Sequence, residues 1–169
     1  MIMSVKQLID EIKKNPGLAK QSMKVKLVKS GPLQVSVKAG KHKLILDEDK
    51  ALGGTGEGPA PAQMLLAAIG GCMLNTMQAW SHLLNTKFKG AEINVKGVLD
   101  AQGFLGIDDK IPAGFQTIEI DVAIDSEEPP EKIKKLVEAV EKHCPVYNTV
   151  LKSAKLKVTL KSEAPKSEA

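Results

Sequence analysis

Two cysteines, Cys72 and Cys144, carry the chemistry that this sequence offers most plainly. A thiol attacks or binds metal only as thiolate, and an unperturbed cysteine has a pKa of about 8.5. Two cysteines in a chain of ordinary globular composition are either small buried hydrophobes or a transient redox pair. A metal centre has no support: there is no Cys-x-x-Cys, and His42, His82 and His143 show no ligand spacing. His143 and Cys144 are adjacent, which is poor geometry for sharing one ion.

The elements that must position these thiols can be read from periodicity. Cys72 lies in a helical stretch from Pro61 to about Asn85, apolar almost all round between Met64 and Met77. Such a helix is expected to be buried on every side, and it is too short to span a membrane. Its alanines and glycines would let a second helix pack very close, as at the centre of a symmetric dimer. Cys144 follows an amphipathic helix marked by Ile133, Leu136, Val137 and Val140 and ending near His143. Proline suits the first turn of a helix, so Cys144-Pro145 restarts the chain with Cys144 at the new N-cap. There the helix start and the His143 imidazole both favour a thiolate. Cys72, roughly three turns inside its helix, needs a cationic or hydrogen-bonding neighbour instead.

Around these segments, Val5, Leu8, Ile9 and Ile12 form one stripe of a short helix, with Ser4 and Gln7 as a capping box and Asn15-Pro16-Gly17 as its stop. From Met23 to Glu48 the period is two, which predicts a three-stranded antiparallel meander. The loop 52–61, L-G-G-T-G-E-G-P-A-P, is not a phosphate-binding Walker loop because no Gly-Lys-Ser/Thr follows. It is either a flexible connection or a wall beside the thiol. Further strands are expected at Ala91–Leu99, Gln116–Ile124 and Lys155–Lys161, with a Gly/Asp-rich insertion at 100–115.

Composition narrows the function. The 169 residues are 43% hydrophobic and 26% charged, which suits one domain. The net charge is +4, but the lysines are interleaved with Asp and Glu throughout, and there is no arginine. With aromatics at 3%, neither base recognition nor stacking on single strands is well supplied, so no nucleic-acid partner is expected. No signal-peptide core or membrane span is visible, and the reading is a soluble, cytoplasmic protein.

The segment G-P-A-P-A-Q-M-L-L-A-A-I-G-G-C, residues 58–72, followed by C-P-V-Y-N-T-V, residues 144–150, resembles the OsmC-like and organic hydroperoxide resistance family. The element order agrees over residues 23–161, leaving 1–22 as an N-terminal helical extension and 162–169 as a polar tail. The resemblance implies an α+β fold whose antiparallel sheets wrap around paired central helices in an intertwined homodimer, with sites at the interface. It also implies a thiol-dependent peroxidase acting on organic hydroperoxides. Cys72 would be the attacking thiolate and Cys144 the resolving thiol; an external dithiol would restore them, with no metal or bound cofactor. The family's peroxidases hold the thiol with an arginine and a glutamate. This chain has no arginine, and Ala62 and Gln63 stand at the start of the helix.

Substitutes are available among the supporting residues. Lys29 or Lys26 offers charge, although an ammonium lacks the planar fork of a guanidinium. Gln63 offers a hydrogen bond, and Thr76, one turn after Cys72, offers a hydroxyl that either meets the sulfur or bonds back to the helix. Glu57 either lines the mouth or is solvated, and Tyr147 either closes over the site or packs. The alternative function is a noncatalytic relative that binds a small apolar or sulfur-containing ligand at the dimer interface.

Overall fold

The computed structural model describes residues 5–152 together with Leu156 and Val158. Helix α1, Val5–Lys14, ends where expected and passes into a 3-10 turn at Pro16–Ala19; its expected cap, Ser4, lies outside the described residues. The meander forms as β1 (Val25–Lys29), β2 (Val35–Ala39) and β3 (His42–Leu46), antiparallel in that order with Leu27 opposite Val37 and Val37 opposite Leu44.

Helix α2, Pro61–Leu84, is the central element, about 36 Å long at 1.5 Å per residue. Proline at its first position has the right φ and lacks only an N–H that a helix start leaves unbonded. The chain continues through β4 (Gly90–Val98), a short α3 (Ala101–Phe104) and β5 (Thr117–Asp125) to α4 (Pro130–His143) and α5 (Pro145–Leu151). Strands β4 and β5 pair antiparallel, with Ile93 opposite Val122 and Val95 opposite Ile120. Their strict alternation turns one apolar face toward the helices.

The core lies where α2 crosses α4. Ile69, Met73 and Met77, spaced four residues apart on one face of α2, bury against Leu136 and Val140 of α4. Gly70 lets the helix come down onto β4: a Cβ there would sit 3.1 Å from a Val95 methyl.

One expectation needs revision. Within one chain α2 is not covered on every side, since Leu65, Ala67, Ala68 and Gly71 are exposed. The sequence reports that this surface is apolar but not that its cover is missing from the same chain. The meander is similarly bare: β1 is exposed along its whole length, Val25 at 54% and Leu27 at 56%, and of its three strands only Val37 is buried.

The 100–115 insertion is also more ordered than its composition suggests. Asp100 caps α3 by accepting the Gln102 N–H at 2.9 Å, Ile107 N–H returns to the Gln102 carbonyl at 2.8 Å, and Asp108 accepts the Lys110 N–H at 2.9 Å. The strand expected at 155–161 lies outside the described residues apart from Leu156 and Val158.

Candidate thiol site

Cys144 sits at an elbow. Its N–H closes α4 on the Val140 carbonyl at 2.8 Å, and the same residue is the N-cap of α5 with Pro145 next. The N-cap position was legible in the sequence, but the thiol makes no capping bond. It turns inward and is 0% exposed among Ile69, Met73, Leu136 and Val140.

Cys72 is half-buried on α2 and packs against that cluster. Its sulfur meets α5 across the contact between the two helices: the Val146 backbone N–H donates to it, and the Cys144 thiol lies within hydrogen-bonding reach. Burial is the largest influence on the Cys72 thiol and pushes its pKa up; the Val146 N–H opposes it, and Cys144 pushes it up again. The net result lies above the ordinary thiol value. Both cysteines are free thiols.

The other expected residues divide. Thr76 Oγ1 donates to the Cys72 carbonyl at 2.8 Å, the bond back to the helix that a helical threonine commonly makes. With its single proton engaged there, it is the weakest of the influences on the thiol. The His143 ring stacks on Trp80. Tyr147 is half-buried against the core. Gln63 caps α2, its Oε1 accepting the Ala60 N–H at 3.0 Å. Lys29 ends β1 in an exposed position. Of the residues named from the sequence, the single chain therefore brings Cys72, Cys144, Thr76 and Tyr147 to one region, and leaves Gln63, Lys29 and Glu57 tied to the opposite end of α2 or to the meander.

Glu57 belongs to a second cluster centred on Asp47, which sequence reasoning missed. Asp47, 1% exposed, accepts N–H groups from Glu48 at 2.9 Å, Thr55 at 3.1 Å and Glu57 at 3.3 Å, and the Thr55 hydroxyl as well. The Thr55 hydroxyl is the main reason its pKa is lowered to about 2; burial works against that, and the three N–H bonds assist. Glu57 in turn accepts from Gln34 Nε2 at 2.8 Å, and Gln34 Oε1 accepts from Ser30 Oγ at 3.0 Å. This chain of bonds ties the tip of the β1–β2 hairpin to the glycine-rich loop. The loop is clamped to the end of β3 rather than loose: a Cβ on Gly54 would lie 1.8 Å from the Glu48 carbonyl oxygen, and one on Gly58 2.3 Å from that of Ile45. The signal available in the sequence was an aspartate ending an apolar strand just before G-G-T-G.

The helices and antiparallel sheets make this an α+β domain that places a central-helix thiol near a second thiol at a Cys-Pro elbow. Residues 54–161 match the family model described as OsmC-like protein, and the chain belongs to that family. No curated protein sequence matches the chain. Among solved structures it is similar to an OsmC-like protein from Mycoplasma pneumoniae, with 21% identity, 79% of this chain and 90% of that one covered, and a TM-score of 0.69. It is also similar to the organic hydroperoxide resistance protein OsmC from Legionella pneumophila, with 18% identity, 77% and 89% covered, and a TM-score of 0.54. The organic hydroperoxide resistance protein OhrB of Bacillus subtilis matches with 20% identity, 77% and 90% covered, and a TM-score of 0.51. At these identities the likeness establishes the fold. No helix of the described residues is long and apolar enough to cross a membrane, and no three His, Cys, Asp or Glu among them are grouped to hold a metal ion.

Proposed function

We propose that this chain is a thiol-redox protein that reduces organic hydroperoxides, with Cys72 attacking and Cys144 resolving. The observation that carries the reading is the meeting of two free thiols, one fully buried at an elbow and the other half-exposed, with a backbone N–H directed at the latter. The Cys72 thiolate attacks one peroxide oxygen, the O–O bond breaks, and the alkoxide leaves and takes up a proton as an alcohol. Cys72 is then a sulfenic acid. The Cys144 sulfur attacks it, water leaves with the thiol proton, and a Cys72–Cys144 disulfide forms. An external dithiol reduces that bond and is itself oxidised to a disulfide. The scheme needs no metal or bound cofactor, and its setting is the cytoplasm, where dithiol reductants are maintained.

The working form in this proposal is a homodimer. Its support is the apolar surface that one chain leaves open on α2 and on the meander. A second copy is also the route by which Lys29 or Glu57 would come near a thiol, since within one chain they belong to the meander and its loop.

A second reading, a noncatalytic member that holds a small apolar or sulfur-containing ligand, is favoured by an apolar groove of about 460 Å³ between α2 and β4. Gln63, Leu66, Gly70, Leu74, Ile93 and Val95 border it, and neither thiol does.

The test is consumption of cumene hydroperoxide in the presence of dithiothreitol. Wild type is expected to turn over and Cys72→Ser to be inactive, while Cys144→Ser, mixed with peroxide in the absence of dithiothreitol, reduces one equivalent and accumulates a dimedone-reactive sulfenic acid. Equally slow consumption by wild type and Cys72→Ser sinks the peroxidase reading, and ligand retention by the double Cys→Ser variant supports the second.

A further inference from the structure

Among the hydrogen bonds that an uninterrupted helix would make and the break at Cys144-Pro145 removes are those to Glu141 and Lys142. In such a helix the N–H groups of residues 145 and 146 would bond the carbonyls of Glu141 and Lys142. Pro145 has no N–H, and the Val146 N–H is directed at the Cys72 sulfur. Both carbonyls are nevertheless satisfied. The side-chain amide of Asn148 reaches back across the elbow, Nδ2 donating to Glu141 O at 2.8 Å and, more weakly, to Lys142 O at 3.4 Å. The same nitrogen bonds Cys144 O at 2.9 Å, and the Asn148 backbone N–H bonds that carbonyl at 3.0 Å.

We propose that Asn148 is a positioning residue for the thiol pair: its amide replaces the helix bonds lost at the elbow, and so holds the Val146 N–H against the Cys72 sulfur. Few side chains could do this. Aspartate brings only acceptors to three carbonyls, leucine fills the space with no donor, and serine supplies a single proton. Without the amide, the start of α5 loses its tie to the exposed Glu141 and Lys142 carbonyls, which turn to water, while Pro145 bars a return to a continuous helix. The Val146 N–H is then no longer held against the sulfur. The inference rests on the reading that Cys72 reacts as a thiolate, but not on which oxidant it meets.

The test uses the full chain with Cys144→Ser, so that Cys72 is the only thiol. Iodoacetamide alkylation of Cys72 is followed by mass spectrometry across pH, with a thermal melt alongside. Asn148→Ala and Asn148→Leu are expected to move the alkylation midpoint up by about one pH unit, a tenfold smaller thiolate fraction near neutrality. Asn148→Gln is expected to recover part of the shift. If Asn148→Ala does not fold, Asn148→Ser is read instead, with a smaller upward shift expected. A lowered melting temperature with an unmoved midpoint overturns the proposal. Peroxide consumption by wild type and by Asn148→Leu, both cysteines present, separates the two ideas. An Asn148-dependent midpoint together with a wild type that consumes no peroxide supports the positioning role and sinks the substrate. Normal consumption with an unmoved midpoint sinks the positioning role alone.

Discussion

Trp80 and His143 lie ring on ring, their centroids 4.2 Å apart and their planes 15° from parallel. Trp80 stands two turns beyond Cys72 on α2, and His143 immediately precedes Cys144. The stack therefore fastens the end of α4 to α2 beside the place where the thiols meet.

Removing the stack is expected to destabilise the fold without dismantling it. His143→Ala should cost about 0.5–1.5 kcal/mol, the usual worth of an aromatic pair beyond its buried area, whereas His143→Phe should keep most of it. Trp80 is the only tryptophan, so urea unfolding followed by its emission reads the change directly.

Cys144 works against ionisation of its neighbour, and this has a measurable sign. Because Cys144 raises the Cys72 pKa, Cys144→Ala is expected to lower the Cys72 alkylation midpoint and to speed alkylation near neutral pH. Slower alkylation in that variant would place the two sulfurs in some other relation.

Asp47 gives the fold an acid-sensitive point. Its folded value of about 2 lies below the ordinary 3.8, so the unfolded chain takes up the proton first as pH falls. The stability it contributes is complete above 3.8 and is lost as pH falls through about 2. Asp47→Asn, followed by circular dichroism during acid titration, should flatten the loss of stability across that window and leave the rest of the curve in place.

The glycine-rich loop tolerates no side chain where it crosses β3. Gly54→Ala puts a carbon 1.8 Å from a backbone oxygen that no rotamer change can move aside. A loss of about 1–3 kcal/mol or more is expected in chemical denaturation, the range typical of overpacking. Gly114→Ala, with open space around its Cβ and no place on the open face of α2, is the control and should lose little.

Self-association should depend on the open face of α2. Leu65 is 42% exposed in the single chain, and Leu65→Glu is expected to yield a folded monomer where sedimentation equilibrium finds wild type as a dimer. A monomeric wild type removes the homodimer from the proposed function.

Much of the architecture was legible because its causes are local. The alternation of Ile118, Ile120, Val122 and Ile124 announces β5, and Pro145 announces the restart at Cys144. The rest depends on partners distant in sequence or absent from the chain. Asp47 looks like a strand terminus until Thr55 and Glu57 fold back onto it. Asn148 looks like an ordinary helical residue unless one asks where the carbonyls orphaned by Pro145 find donors. His143 was read by adjacency to Cys144, but consecutive residues at a helix end point in different directions, and its ring met Trp80. The pattern of α2 reports apolarity on all sides, while exposure depends on how many chains are present.

The self-bonded insertion between β4 and β5 also bears on how the molecule comes together in time. Residues 99–116 separate two strands that must find each other, and a slack connection of that length carries a larger closure entropy than a short one. Asp100 and Asp108 hold the intervening chain in local turns, and the Gln116 N–H meets the Val98 carbonyl at 2.8 Å where the strands begin to pair. Turns that form early shorten the span still to be searched, so β4 and β5 can zip as a near-local hairpin and offer α2 and α4 a ready surface on which to condense.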